Sequence, residues 1–508
     1  MAIDSKRIAK NTIFLYARLI LVLGVSLYTS RVVLDKLGVD DYGLYNVVFS
    51  VIGLLSFLNG TLSAGTSRFI TFDLGRKDKE KLKFTFSTAL CTHLLLAGII
   101  LLLGETVGIW YVHKVMVCPP ERFQAAFMVY QISILITMLS IVQVPFTSEI
   151  MAHEEMDIYA YIGIYEAVAK LVVVFLLVRS PYDKMAYYAS LVAIVSISVF
   201  LFYVYFSRRK FDEVRFKVLF DRKTFKELLN FSGWNIIANI SNVLMKQGVI
   251  MLFNVFFAPV VVAAQALSNQ ISNAMMQFVD NVRQAVNPQV IKAYADKKYD
   301  DSKRLTLQSA EYIFYLLLLL GVPLIMMMPN MLKIWLVEVP DYAVVFTRLI
   351  IIQDFLGNFS ASFYTPMVAA NKIEKNSISA AILATLQFGL LYLLFRCGVG
   401  PIWARYVGIL FTCIWSFVVK PYILWKDINY TWKEMRLCVF KCIRVLAAVV
   451  VACTGIYLLI PQTTLFLSFL VGIISMAFVL LFSFLFMDNK LRQRVINTIL
   501  VNLKLKFK

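Results

Sequence analysis

Apolar runs of about 20 residues recur along the whole of this chain, and they limit what it can fold into more than any other feature. They fall near 12–34, 44–66, 85–111, 124–148, 159–179 and 185–206. After a polar break they resume near 232–256, 260–286, 307–329, 342–367, 377–395, 402–425, 440–460 and 464–487. A helix of about 20 apolar residues crosses the hydrocarbon layer of a bilayer, and only segments that satisfy their own backbone groups can do so. With 60% of its 508 residues apolar, the chain carries enough such residues for fourteen spans, which excludes a water-soluble globule. The expected fold class is an all-α polytopic membrane protein of about 14 transmembrane helices.

The net charge of +19 would suit nucleic acid in a soluble chain. Here its placement reads as topology, because bases gather in cytoplasmic loops. If the N-terminus is cytoplasmic, the inner segments hold Arg68, Arg76, Lys77, Lys79, Lys81 and Lys83, then Arg208, Arg209, Lys210, Arg215 and Lys217. Lys292, Lys297, Lys298, Lys303 and Arg304 follow, and the tail carries Lys490, Arg492 and Arg494. Both termini are therefore expected in the cytoplasm, and no nucleic-acid partner is expected. One inner loop, 149–158, is acidic instead, with Glu149, Glu154, Glu155 and Asp157. The basic N-terminus before the first run resembles a signal peptide, but that run is too long and carries Arg18 and Arg31, so it reads as an uncleaved span. The seven cysteines are scattered, and His93, His113 and His153 lie near no cysteine cluster, so neither a disulfide framework nor a metal site is expected.

Sliding the chain by 221 residues lays Tyr42–Ile70 over Ala263–Ile291 without gaps, with a basic loop after each. The same offset sets Asn11 beside Ser232 and Pro145 over Pro366. This predicts a duplication of the parallel kind found in transporters. The expected organisation is a six-helix lobe over 1–206, a basic cytoplasmic connector over 207–231, a second, pseudo-symmetric six-helix lobe over 232–425, and two further helices with a basic tail over 426–508.

An ionised group in a span costs at least about 2.5–3.5 kcal/mol, so each needs a partner or a hydrated cavity. The candidates are Arg18, Arg31, Lys170, Lys246, Arg283 and Arg348, against the fewer acids Glu166, Asp280 and Asp354. Glu166 with Lys170 and Asp280 with Arg283 are spaced to neutralise each other locally, and Arg31 and Arg283 lie where they can snorkel. Arg18 and Lys246 have no acid within a turn. The expected eighth span carries Gln270, Asn273, Gln277, Asn281 and Gln284 on one stripe, and the seventh carries Asn235, Asn239, Asn242, Lys246 and Gln247. Amides facing lipid would go unsatisfied, so these faces meet protein or water. A surface of bases and amides suits an anionic head rich in hydroxyls, since guanidinium binds phosphate oxygens bidentately.

The stretches LGVDDYGLYNVVFSVIGLLSFLNGTLSAGTSRFI, VPFTSEIMAHEEMDIYAYIGIYEAVAKL and AAQALSNQISNAM resemble the polysaccharide transporter branch, the Wzx-type O-antigen flippases, of the multidrug/oligosaccharidyl-lipid/polysaccharide exporter superfamily. The resemblance implies a flippase that moves undecaprenyl-diphosphate-linked oligosaccharide from the cytoplasmic to the periplasmic leaflet of the bacterial inner membrane by alternating access. It also implies membrane lipids as surroundings, and a polysaccharide polymerase and glycosyltransferases of the same pathway as partners. Related lipid II flippases use arginines of the first, second and eighth helices. Matched by helix, this implies Arg18, Arg31, Arg68 and Arg283 as diphosphate ligands, to which the residue pattern adds Lys246. Asn239, Asn242, Gln270, Asn273, Gln277 and Asn281 are the expected cavity lining. No cofactor is expected beyond a coupling ion, Na⁺ or H⁺, for which Asp280 and Asp354 are the candidates. The alternative is a cation-coupled multidrug antiporter of the same superfamily, which needs cavity carboxylates that are scarce here. A membrane-bound glycosyltransferase or polymerase would need converging acids or a large outer loop, so an enzyme is not expected.

Overall fold

The computed structural model describes residues 5–76, 78–214, 239–460 and 464–487, with the isolated positions 221, 222, 225, 492 and 493. The described residues are helical with short connections, and none forms a strand. Among the described residues, ten helices are long and apolar enough to cross a membrane. The first four are Lys79–Lys114, Pro120–Ala152, Met156–Val178 and Lys184–Lys210. The rest are Tyr299–Trp335, Ala343–Ala369, Glu374–Arg396, Trp403–Ile428, Trp432–Leu459 and Leu465–Phe486. Each falls on one of the expected apolar runs.

The four remaining runs lie on other elements. The first falls within Ser5–Leu37 and the second spans Val39–Gly53, the short turn Leu54–Ser56 and Phe57–Gly75. The seventh begins outside the described residues and ends in Val249–Phe256, and the eighth lies in Pro259–Ala295. The amides of Pro259–Ala295 lower its apolarity while leaving it a 37-residue helix. The described residues thus hold ten candidate spans, which do not establish the expected fourteen.

Several helix boundaries recur at a spacing close to 221 residues. Phe57–Gly75 is followed by the helix that begins at Lys79, and Pro259–Ala295 by the one that begins at Tyr299. The next helices end at Lys114 and Trp335, again close to 221 residues apart. The later pairs, Met156–Val178 with Glu374–Arg396 and Lys184–Lys210 with Trp403–Ile428, keep that spacing to within a few residues.

Two units are separable. One comprises 1–267, 335–343 and 377–404; the other comprises 268–334, 344–376 and 405–508. In the first unit a core of Ile70, Leu82, Phe86, Phe146, Ile150, Val199, Tyr203, Phe211 and Val214 gathers at one end of its helices. The loop ends are held by polar clamps. Arg122 Nε donates to Asp41 at 2.8 Å while the same guanidinium also donates to Asp183. Burial pushes the Asp183 carboxyl up, but its bonds from Arg122 and from the backbone of Ala186 outweigh this and leave it below the usual aspartate value. Asn254 brackets Val117, donating to its carbonyl at 2.9 Å and accepting from its N–H at 3.0 Å.

In the second unit the helix Leu465–Phe486 buries Ser468, Val471, Gly472, Ser475, Val479 and Ser483, which share one face. Its large apolar side chains face outward: Phe466 is 74% exposed and Ile473 64%. Small residues inward and bulky apolar ones outward is the arrangement of a helix whose solvent is lipid. The acidic stretch 149–158 also departs from the sequence expectation. The helix runs on to Ala152, so Glu149 is a buried helical residue rather than a loop acid, and Glu155 pairs with Lys210 at 2.6 Å.

Candidate functional site

The candidate bases of the first unit are spread over three elements. Arg18 and Arg31 are both on Ser5–Leu37; the side chain of Arg18 lies outside the described residues, and Arg31 is exposed. Arg68, on Phe57–Gly75, is also exposed, its guanidinium 5.9 Å from the ring of Phe69.

Lys246 stands in a five-residue π-helical turn, Leu244–Gly248, a local widening that recurs at functional sites. Two close approaches fix this turn. The Gln247 amide reaches to 3.0 Å of where a Cβ on Gly53 would stand, and the ring of Phe388 to 2.8 Å of one on Gly248. Neither glycine has a substitute that fits without displacement. The Lys246 side chain is exposed and makes no hydrogen bond or ion pair with a described residue. Asn242, one turn earlier, is exposed as well, and Asn239 is half-buried.

The amide stripe of Pro259–Ala295 divides by environment within the second unit. Asn273 is exposed, while Gln270, Gln277 and Asn281 are half-buried; the side chain of Gln284 lies outside the described residues, as does Asn235 altogether. Arg283 donates to Asp280 at 2.8 Å and to the amide oxygen of Asn358 at 2.8 Å. The local neutralisation expected for Asp280 and Arg283 is therefore present, as it is for Lys170 and Glu166 at 2.6 Å in the first unit. Asp354 accepts from the Ser272 hydroxyl at 2.6 Å, and its backbone carbonyl accepts from Asn358 at 3.1 Å. Asp280, Arg283, Asn358, Asp354 and Ser272 thus form one polar cluster between two helices of that unit.

Two cations absent from the sequence reading join this region. Lys420 is buried, donates to the Ser360 carbonyl at 2.9 Å and stands 5.4 Å from the Trp415 ring. Arg405 is buried over Phe346, at 5.7 Å, and its Nε and Nη2 have no hydrogen-bond partner among the described residues. Both sit in the apolar run 402–425. Their visible signal was only a charge inside an apolar run, the same signal that singled out Lys246. Trp415 opens another π-helical turn, Trp415–Val419, next to Lys420.

A basic, amide-rich set of faces in a membrane protein can bind an anionic, hydroxylated head, while its carboxylates are mostly engaged by neighbouring donors. The fold is similar to that of a lipid II flippase, MurJ, in an inward closed conformation, with TM-score 0.66 and 15% identity over 94% of this chain and 98% of that one. It is equally similar to an inward-facing multidrug resistance MATE family transporter of the MOP superfamily, with TM-score 0.66 and 14% identity over 80% of this chain and 97% of that one. A MOP superfamily transporter from Pyrococcus furiosus matches with TM-score 0.60 and 14% identity over 81% of this chain and 94% of that one. No curated protein matches the sequence. These likenesses show that the fold is the one those transporters have, and the chain's own long apolar helices make it a multi-pass membrane protein. Residues 8–292, more than half of the chain, match the model of one family. The chain accordingly belongs to the polysaccharide biosynthesis protein family.

Proposed function

We propose that this protein is a flippase moving undecaprenyl-diphosphate-linked oligosaccharide, an O-antigen or capsular repeat unit, from the cytoplasmic to the periplasmic leaflet of the bacterial inner membrane. It works by alternating access of two six-helix lobes, 1–206 and 232–425, joined by the connector 207–231, with 426–508 as an added helix pair. Lys246 carries this reading: an exposed cation without a partner, held on a π-helical turn of a predicted span. Arg18, Arg31, Arg68 and Arg283 are the further diphosphate ligands, and the amides Asn239, Asn242, Gln270, Asn273, Gln277 and Asn281 meet the sugar hydroxyls. Family membership supports a glycan substrate. The lipid II flippase, matched over 94% of this chain, supports a lipid-linked one. The periplasmic polymerase and the cytoplasmic glycosyltransferases of the pathway are its functional partners.

The test is translocation of a fluorescent undecaprenyl-diphosphate oligosaccharide in proteoliposomes. Wild type should move it, Lys246→Ala should lose at least tenfold in rate, and Lys246→Arg should keep most of it. Full activity in Lys246→Ala, with unchanged reconstitution, removes Lys246 from the site.

A cation-coupled antiporter is the second reading, favoured by the MATE likeness and by Asp354 held among hydroxyl and amide donors. Exchange of a cationic dye against a Na⁺ or H⁺ gradient, without lipid movement, would establish it and turn attention to Asp280 and Asp354.

A further inference from the structure

At the end of the helix Pro120–Ala152, Glu149 is fully buried, 0% exposed. One turn on, His153 Nε2 lies 3.2 Å from Glu149 Oε1 and 2.7 Å from Oε1 of Glu213, which follows the helix Lys184–Lys210. The candidate ligand atoms of all three residues lie within 4.8 Å of one another. Phe211 stacks on the imidazole at 4.2 Å and fixes its plane. Phe211 and Val214, on either side of Glu213, are buried in the apolar core of this end of the unit. Lys83 faces Glu213 from the helix Lys79–Lys114 and is itself paired with Glu80 at 2.9 Å.

The hydrogen-bond accounting of this cluster does not close. His153 Nε2 has one proton to give and Glu213 is the nearer acceptor, so both oxygens of Glu149, the fully buried member of the three, are left without a hydrogen-bond donor. An ionised carboxylate buried without a partner is strongly destabilising. Two carboxylates with a protonated histidine also leave one negative charge in the core. A divalent cation with neutral imidazole balances the charge and gives each ligand atom a partner. Zinc–ligand distances of about 2.0–2.2 Å put tetrahedral ligand atoms about 3.4 Å apart, so these contacts need open by only a fraction of an ångström. We propose that Glu149, His153 and Glu213 form a binding site for a divalent transition-metal cation of the zinc type, which fastens the segment after Lys184–Lys210 to the end of Pro120–Ala152. Zinc fits the mixed nitrogen and carboxylate ligand set, and water completes the coordination.

The experiment uses the full-length, tag-free protein in detergent, stripped with EDTA and re-equilibrated with Zn²⁺. Elemental analysis should find one zinc per chain. Glu213→Gln, at a partly exposed position that tolerates the change, should bind at least tenfold more weakly while keeping its elution profile and helix content. In wild type alone, Co²⁺ in place of Zn²⁺ should give the visible absorption of a four- or five-coordinate site. Zinc retained equally by wild type and by the folded Glu149→Gln/Glu213→Gln variant, or Co²⁺ showing only the weak spectrum of the hydrated ion, overturns the proposal. A proton shared between the two carboxylates would then be the occupant.

Discussion

At the scale of single residues, position decides more than type. Gly108 packs so tightly on Tyr130 that a Cβ there would stand 1.9 Å from the phenol oxygen, and Tyr130 is fixed by donating to the Gly104 carbonyl at 2.6 Å. Gly108→Ala should therefore destabilise the protein by about 1–3 kcal/mol, as overpacking does. A lower melting temperature in detergent checks this; an unchanged one would mean that Tyr130 can move aside. Asp183 offers a test by pH. Its carboxyl is held below the ordinary value of 3.8, so its stabilising effect is complete above that pH and is lost as pH falls through the lower folded value. Asp183→Asn keeps the N-terminal cap of Lys184–Lys210 but removes the charge that Arg122 binds. The variant should show a shallower loss of stability in acid than wild type, and parallel acid profiles would reject this. Which residues matter was legible only in part. Lys246 stood out as a base without a local acid. Glu149, His153 and Glu213 did not, because sixty positions separate His153 from Glu213 and no linear pattern joins them.

At the scale of elements, the sequence carried the spans well, because hydropathy is summed locally over a length that the bilayer sets. Each of the ten crossing helices lies on a run recognisable without a structure. The π-helical turns at Gly104–Gly108, Leu244–Gly248 and Trp415–Val419 were not legible, since one extra residue in a turn leaves composition unchanged. Helix starts depend on short-range chemistry that can be read in both ways. Thr431 and Glu434 form a reciprocal capping box at the head of Trp432–Leu459, the hydroxyl accepting from Glu434 N–H and the carboxylate from Thr431 N–H. Thr431→Ala should cost about 1 kcal/mol and Thr431→Ser much less. Comparing the two in a thermal scan separates loss of the cap from loss of the methyl group.

At the scale of the whole molecule, a chain of net charge +19 placed in a membrane works in an electric field as well as in a solvent. A diphosphate carried outward is favoured by an inside-negative potential by about 2.3 kcal/mol per charge per 100 mV. If the proposed flippase moves its substrate as an uncompensated anion, a K⁺–valinomycin potential of that sign should raise the initial rate of outward movement. A rate indifferent to voltage would point to a co-transported cation instead. The 221-residue offset was read at this scale from hydropathy, loop charge and proline placement together, and the helix boundaries keep nearly that spacing. The distribution of the candidate residues between the two units was not legible, because a sequence offset says nothing about which helices exchange neighbours.

The π-helical turn at Lys246 has a consequence for how such a helix records its history. Each extra residue shifts the phase of everything beyond it by about 100°, so a wide turn is an insertion absorbed without breaking the span. The two copies of the repeat therefore need not keep the same azimuth: Leu244–Gly248 lies near the start of its copy, and Gly104–Gly108 well into the other. Equivalent helices can then present different faces, one apolar and one cationic, with their lengths nearly unchanged. A single inserted residue is enough to turn a copied face toward a different neighbour.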